Sequence, residues 1–301
     1  MATFFEKYTK SEVTNTRRVI TTPDDFAKRN MFYAQEAGYL QSLKPHESRR
    51  RGLDSYLFMI ILSGSGVIRY NGETHDVHSG DCILIDCHGE YSHMSSDSDP
   101  WELMWIHYNG PLAGYYYRYF AERKSCVFRL NDTTAVTDRI LRLIELGETH
   151  TADSAIMVAR IITDLLTDSI TRGISAKEND SSFVAAKLAA VISYIDNHYT
   201  EKLSLDDLAS MFFISKYYLS HAFKKEYKMT IVQYILTRRI SAAKEKLRFS
   251  DSSIEEIALE CGIADASYFN KVFRRIEGMT ASQYRSMWKG GIKTRNLPQQ
   301  D

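Results

Sequence analysis

Hydrophobic and polar positions follow two rhythms along the chain, and the change falls near residue 130. Between 55 and 110, short apolar and aromatic runs alternate with turn residues. The run 56–62 is β-branched and aromatic, Gly64-Ser65-Gly66 turns the chain, and 67–70 follows. Asn71-Gly72 is the strongest short hairpin signal a sequence offers, since both residues accept positive φ. Ser79-Gly80-Asp81 turns into 82–85, and after the polar 95–100 the run 101–108 closes the series. Strands at this spacing predict a sandwich or barrel. Within 101–108 a period of two places Trp101, Leu103, Trp105 and His107 on one face. The aromatic-rich 114–128 follows neither rhythm.

From 131 the period is helical. Val136, Ile140, Leu143 and Ile144 share one face; Ile156, Ala159, Ile162, Leu166 and Ile170 share another. Joined across 147–151, these predict a helical hairpin whose apolar face packs on the barrel or on a second copy. The polar stretch 172–182, with Gly173 as stop signal, reads as a linker. Beyond it the pattern is all helical and contains a repeat. Leu205-Asp206-Asp207-Leu208-Ala209 returns as Ile254-Glu255-Glu256-Ile257-Ala258 at an offset of 49, whereas Phe223-Lys224-Lys225 and Met229-Thr230 return at an offset of 50. A residue inserted within a helix rotates a face by about 100°, so the insertion belongs in a turn. The repeat is therefore helix-turn-helix, twice, at about 203–227 and 252–277.

In each copy a small residue, Ala209 or Ala258, sits where the helices cross, and Ile214 or Ile263 plugs the turn. Leu219 and Phe223 (Phe269 and Phe273) anchor the second helix by its inner face. Lys216, Tyr217, Ser220, His221 and Lys224 are left outward in copy one, and Ala266, Ser267, Asn270, Lys271 and Arg274 in copy two. Short polar and cationic side chains of this kind reach base edges and phosphates. The segment 230–249 between the copies reads as one helix nearly 30 Å long, close to the spacing of about 34 Å between successive major grooves on one side of a duplex. Its Arg238, Arg239, Lys244, Lys246 and Arg248 are further candidates for phosphate contact.

Charge separates the same two regions. The 301 residues carry 38 Lys and Arg against 38 Asp and Glu, but 183–301 holds 18 against 13 and 1–182 holds 20 against 25. A basic C-terminal third points to a polyanionic partner that the acidic remainder does not share. With 44% hydrophobic residues, long disorder is excluded. The longest apolar run, 56–62, is about a third of the ~20 residues a membrane-spanning helix needs, so no membrane partner is expected. The first ten residues hold Glu6, Lys7 and Lys10 without an apolar core, and a cytoplasmic protein is expected. The four cysteines, at 82, 87, 126 and 261, form no disulfide framework and read as small buried hydrophobes.

The run 204–285 resembles the AraC/XylS family of transcription regulators, through SKYYLSHAFKKEYKMTIVQYILTRRISAAKEKL and IEEIALECGIADASYFNKVFRRIEGMTASQYR. The resemblance implies that outward residues of both second helices read bases: Tyr217, Ser220 and His221, then Ser267, Asn270 and Lys271. The chain departs from the family pattern at Tyr227-Lys228, where a Gly commonly ends the first recognition helix, and at His221, where Arg is usual. Residues 30–128 resemble, more weakly, the cupin-like sensor domain of arabinose-type members, through Gly64-x-Gly66, Ser79-Gly80-Asp81, His93, Pro100-Trp101 and Trp105-Ile106-His107-Tyr108. In such members an Arg before the first strand and later aromatics hold a sugar. The matching positions are Arg49 and Trp105, with Arg51, His93, Trp101 and His107 as further candidates.

The expected fold is thus α+β and multidomain. An N-terminal cupin-like β-barrel senses an effector (1–128), a helical hairpin dimerises (129–172), a linker follows (173–184), and an all-α tandem helix-turn-helix domain binds DNA (185–301). The expected function is a DNA-binding regulator, an activator, working as a homodimer with double-stranded DNA, RNA polymerase and a small-molecule effector, a sugar, as partners. The rival reading is a cupin-fold carbohydrate-active enzyme with a helical appendage. It needs a metal cluster or a paired-carboxylate site, and the sequence offers neither: His75 and His78 point to opposite strand faces, and His-x-His is absent. No nucleophile elbow or phosphate loop is present either, so neither catalysis nor a cofactor or metal is expected.

Overall fold

Strand alternation builds the first unit around a sheet that is buried on both sides. The computed structural model describes residues 9–149, 153–174 and 178–289. Contacts divide the chain into two units, 1–181 and 182–301. In the first, β1 (Thr9–Lys10), β2 (Thr14–Ile20), β3 (Tyr33–Ser42), β4 (Glu47–Arg51), β5 (Tyr56–Ser63), β6 (Ser65–Tyr70), β7 (Glu73–His78), β8 (Asp81–Asp86), β9 (Glu90–Ser95), β10 (Glu102–Asn109) and β11 (Val127–Arg129) form two sheets. One sheet has seven strands in the order β1-β2-β3-β10-β5-β8-β11, and the other has four in the order β4-β9-β6-β7. Every pairing is antiparallel. Asn71 and Gly72 join β6 to β7 with φ of 54° and 78°, the two positive values a type I′ turn requires.

Along β5 and β10 successive side chains enter different cores. Phe58, Ile60, Met104, Ile106 and Tyr108 pack with the helices, whereas Leu57, Met59, Ile61, Leu103 and Trp105 face the smaller sheet. The helical face is covered by α2 (Ala113–Ala121), α3 (Thr133–Thr149) and α4 (Ser154–Arg172); a short α1 (Asp25–Asn30) precedes β3. Val136, Ile140, Leu143 and Ile144 of α3 and Ile162, Leu165 and Leu166 of α4 belong to that core, so the hairpin's buried face packs on the sheet. The unpatterned 114–128 resolves into α2 and β11. The joint of the hairpin at 150–152 and the linker residues 175–177 lie outside the described residues.

The second unit holds α5 (Glu178–His198), α6 (Leu205–Met211), α7 (Lys216–Tyr227), α8 (Ile231–Phe249), α9 (Ile254–Glu260), α10 (Ala266–Glu277) and α11 (Ala281–Lys289). Helix α5 begins within the stretch read as linker. The repeat is reproduced residue for residue: α6 and α9 stand 49 apart, α7 and α10 stand 50 apart, and the inserted Ala264 lies in the second turn. Each copy has its own core, and α8 feeds both. Its Ile231 and Ile235 enter the first, its Leu236, Ile240, Ala243 and Leu247 the second.

The copies differ in their turns. Copy two places glycines at its left-handed positions, Gly262 (φ 81°) in the turn and Gly278 (φ 75°) after α10. Copy one has Phe213 (φ 53°) and Lys228 (φ 55°) there. A Cβ in that region is strained, so Lys228→Gly is expected to stabilise the second unit by roughly 1 kcal/mol and Gly278→Ala to destabilise it by a similar amount. Urea unfolding of the intact protein, followed by helical circular dichroism, checks both signs.

Candidate functional site

Serine and aspartate caps fix where the helices of each motif begin. Ser204 caps α6 by accepting the Asp207 N–H, and Ser215 caps α7 by accepting the Tyr218 N–H; Ser253 and Asp265 do the same for α9 and α10. Leu208, Ala209, Ile257 and Ala258 are buried where the helices cross, and Leu219, Phe223, Phe269 and Phe273 are fully buried beneath α7 and α10. Ile263 is buried in its turn, and Ile214 is half-buried. The opposite face is open: Lys216, Tyr217, Ser220, His221, Lys224, Ser267, Lys271 and Arg274 are exposed, with Ala266 and Asn270 half-buried.

Within that face the Tyr217 and His221 rings stack with centroids 6.2 Å apart and planes 9° from parallel. The Asn270 amide donates to the Ala266 carbonyl at 3.1 Å, which leaves its oxygen free to accept. Lys216 pairs with Asp206 at 2.8 Å, both side chains more than half exposed. Such a surface pair is worth under about 1 kcal/mol, so a phosphate can displace it. Lys224, Lys271 and Arg274 have no carboxylate partner among the described residues.

The cations of α8 also have partners within the protein. Arg238 pairs with Asp196 at 3.2 Å, Lys244 with Glu277 at 2.8 Å and Lys246 with Glu260 at 2.5 Å. Arg239 donates to the carbonyls of Tyr199 and Glu201, each at 2.7 Å, and Arg248 donates to the Tyr284 hydroxyl while covering the Trp288 ring at 3.4 Å. These side chains fasten α8 to its neighbours in both copies. Composition shows cations; only the fold shows that they are already engaged.

In the first unit the two sheets enclose a cavity of about 330 Å³. Leu103, Trp105 and His107 line it from β10, as the alternation predicts, and His93 lines it from β9 beside Tyr91. Residues the sequence did not single out complete the wall: Thr14, Thr16 and Arg18 of β2, Glu36 of β3, His46, and Arg50 of β4. Trp105, Gly38 and Arg18 stand in register across β10, β3 and β2. Because Gly38 has no side chain, the indole lies over it; a Cβ there would fall 2.4 Å from Trp105 Cη2. The indole Nε1 donates to Glu36 at 2.9 Å, Glu36 pairs with Arg18 at 3.2 Å, and the Arg18 guanidinium sits 5.4 Å over the ring.

Two expected arginines lie elsewhere. Arg49 is 65% exposed on the outer face of β4, 3.7 Å from Glu90, and Arg51 is likewise exposed and outside the cavity wall. Three consecutive arginines carry no phase of their own, and a shift of one residue moves a side chain to the opposite face. The pairing of Arg50 with Tyr91 puts Arg50 inward instead. Trp101 is fully buried behind His93, with ring centroids 6.1 Å apart, and its indole occupies the place a side chain at Gly66 would take. It forms the wall behind the lining.

Electrostatically, the cavity keeps its imidazoles neutral. Burial pushes His93 down to about 3, and lowers His46 and His107; the nearby Arg50 charge adds to the effect at His93 and His107. The His107 Nδ1 meets the Ser55 hydroxyl at 3.0 Å, and the His46 Nδ1 meets that of Ser42 at 3.1 Å. Among the described residues no group of three or more His, Cys, Asp or Glu is placed to hold a metal ion, and no helix is long and apolar enough to cross a membrane.

Comparison with known proteins assigns both units. A family described as AraC-like ligand binding domain matches residues 33–163, and one described as helix-turn-helix domain matches 208–287. The chain belongs to the AraC family. It is similar to the Msm operon regulatory protein of Streptococcus mutans, 25% identical over 77% of this chain and 84% of that protein. It is also similar to the lactose operon transcription activator of Staphylococcus xylosus, 23% identical over 75% and 82%. Among solved structures it resembles the DNA-binding domain of AdpA in complex with a target DNA, 26% identical over 35% of this chain and 94% of that one, with a TM-score of 0.34. The AraC-type chain is thus a DNA-binding transcription regulator with a cupin-like, β-rich ligand-binding domain and an all-helical reader. The enzyme reading is set aside, because the family's members are regulators.

Two tests follow from the cavity's construction. Gly38→Ala forces Trp105 off β3 and is expected to cost about 1–3 kcal/mol, measured by thermal unfolding with tryptophan fluorescence as a second probe. Burial holds His93 at about 3, against an ordinary imidazole value of 6.5, so the unfolded chain takes the proton first. Its contribution is intact above pH 6.5 and is lost as the pH falls from there toward 3, by about 2 kcal/mol at pH 5. Unfolding at pH 7 and 5 is expected to show a smaller difference in His93→Gln than in the natural chain.

Proposed function

We propose that this AraC-type chain is a transcription activator that responds to a sugar held in its barrel, and that it acts as a cytoplasmic homodimer in contact with RNA polymerase. The observation that carries the reading is the duplicated, outward-facing recognition surface on two helices joined by the single helix α8. Tyr217, Ser220, His221, Ser267, Asn270 and Lys271 read base edges; Lys216, Lys224 and Arg274 hold phosphates, and Ala266 offers a methyl to thymine. Helix α8 has 19 residues, about 28 Å of helix, which suits two major grooves one turn apart. The activator role and the sugar draw support from the similar lactose operon transcription activator. The sugar draws more from the cavity, where Trp105 supplies an apolar ring among polar His93 and His107.

The domain limits proposed are 1–128 for sensing, 129–172 for dimerisation, 173–184 for the linker and 185–301 for the reader. Exposed Ile156 and Met157 near the start of α4, and exposed Tyr115 and Tyr119 of α2 near the end of α4, favour this region as the dimer contact. Coupling runs through β2, whose Arg18 faces the cavity while Arg17, 6% exposed, pairs with Glu148 of α3 at 2.9 Å.

Selection of genomic fragments by the purified protein at moderate salt, with and without sugars, tests the whole reading. Sites with two short boxes about one helical turn apart are expected, and a sugar should shift the enrichment; salt-sensitive binding without sequence preference would sink it. Lys271→Ala is expected to lower operator affinity by about 1–3 kcal/mol. Trp105→Ala should spare DNA binding and abolish the sugar response, and Glu148→Gln should keep sugar binding while weakening its effect on DNA. A sugar response that survives Trp105→Ala would remove Trp105 from the site.

A further inference from the structure

Among the described residues that line the barrel cavity, Arg50 is a cation with no carboxylate within ion-pair distance. Glu36 is engaged twice, by Arg18 at 3.2 Å and by the Trp105 indole at 2.9 Å. Glu47, which also lines the cavity, lies 3.5 Å from Arg69 and 4.0 Å from Arg49, both outside it. Arg50 donates to the Arg49 carbonyl at 3.1 Å, and no carboxylate among the described residues lies within ion-pair distance of its guanidinium. The remaining polar groups, His46, His93 and His107, are neutral hydrogen-bonding partners rather than charges.

We propose that the ligand of this cavity is an acidic sugar, a monosaccharide whose carboxylate pairs with Arg50 while its hydroxyls meet the imidazoles. The proposal rests on the reading that a sugar binds in the barrel, and narrows it by charge. A planar guanidinium matches a carboxylate with two parallel hydrogen bonds, and such charged pairs are about twice as strong as neutral ones. Arg50 is exposed, so its guanidinium is hydrated. A neutral sugar would strip some of that water and return no charge. A phosphate dianion would bring two charges to a wall in which, among the described residues, Arg50 is the cation without a carboxylate partner, since Arg18 already serves Glu36. One carboxylate answers that guanidinium. A cavity of about 330 Å³ is of monosaccharide size, near the lower end of ligand pockets.

Titration calorimetry on the full-length protein at neutral pH decides it. The probes are D-galacturonate, D-glucuronate, D-galactonate and D-gluconate, against D-galactose, D-glucose and galactose 6-phosphate. At least one sugar acid is expected to bind tighter than its neutral parent by on the order of tenfold. Arg50→Gln should remove that preference and Arg50→Lys should keep part of it, both with unchanged thermal unfolding. The proposal is overturned if a neutral hexose or the sugar phosphate binds as well as the acids, or if Arg50→Gln leaves the preference intact. Binding of neutral hexoses alone sinks the acidic sugar and spares the sugar reading; binding of none of the probes sinks both.

Discussion

The first unit depends on one sheet having to satisfy two cores at once. The side chains of β5 and β10 leave the backbone in opposite directions at every step, and neither direction leads to water. Phe58 and Met104 enter the helical core, Met59 and Trp105 the core beneath the smaller sheet. This explains why 56–62 is apolar without alternation, whereas the outer strand β7 alternates polar residues with the buried Val77. It also places the cavity and the helical hairpin on opposite faces of a single layer of backbone. A strand that bends to suit one face necessarily presents a changed surface to the other.

The second unit solves a different problem, which is to hold two copies of one motif in a fixed relation. Apolar burial alone makes each copy compact but says little about their spacing. Arg239 bonded to the end of α5, Lys244 and Lys246 bonded to α10 and α9, and Arg248 on α11 tie the shared helix to both sides. Gly262 closes the arrangement: a Cβ there would fall 2.5 Å from the carbonyl oxygen of Thr200, so the turn of copy two presses on the backbone after α5. Charges that face the outside on a helical wheel are, in this fold, the fasteners between copies.

What was legible in the sequence followed from periodicity. The repeat offsets of 49 and 50 located both readers and the extra turn residue, because a helix tolerates no insertion that rotates its buried face. The alternation over 101–108 put Trp105 and His107 on the cavity side. Strands β1 to β4 were not legible: their burial patterns mix half-buried and exposed positions, and β4, with three arginines, is exposed almost throughout. Half of the cavity wall comes from these strands, which is why Arg18, Glu36 and Arg50 were missed and Arg49 and Arg51 named in their place. Register is a property of pairs of strands, and a run such as Arg49-Arg50-Arg51 acquires a phase only when β9 lies beside it. Gly38 gave no signal either, since its role appears only when Trp105 leans across from the next strand.

The edge strand β2 shows what the two-faced sheet makes possible. Thr14, Thr16 and Arg18 look into the cavity; Arg17 and Val19 look toward α3. The contact with α3 has no slack, because a Cβ on Gly147 would already stand 2.6 Å from Val19 Cγ1, and Arg17 is bonded to Glu148 at the next residue of that helix. Close-packed interiors transmit displacement rather than absorb it. On the proposed coupling, a ligand that draws Arg18 away from the Trp105 ring, or competes for Glu36, would act on the backbone between residues 17 and 19, which also carries the contacts to α3. The same alternation that hid β2 from a reading of the sequence is what joins the cavity to the helices on the sheet's other side.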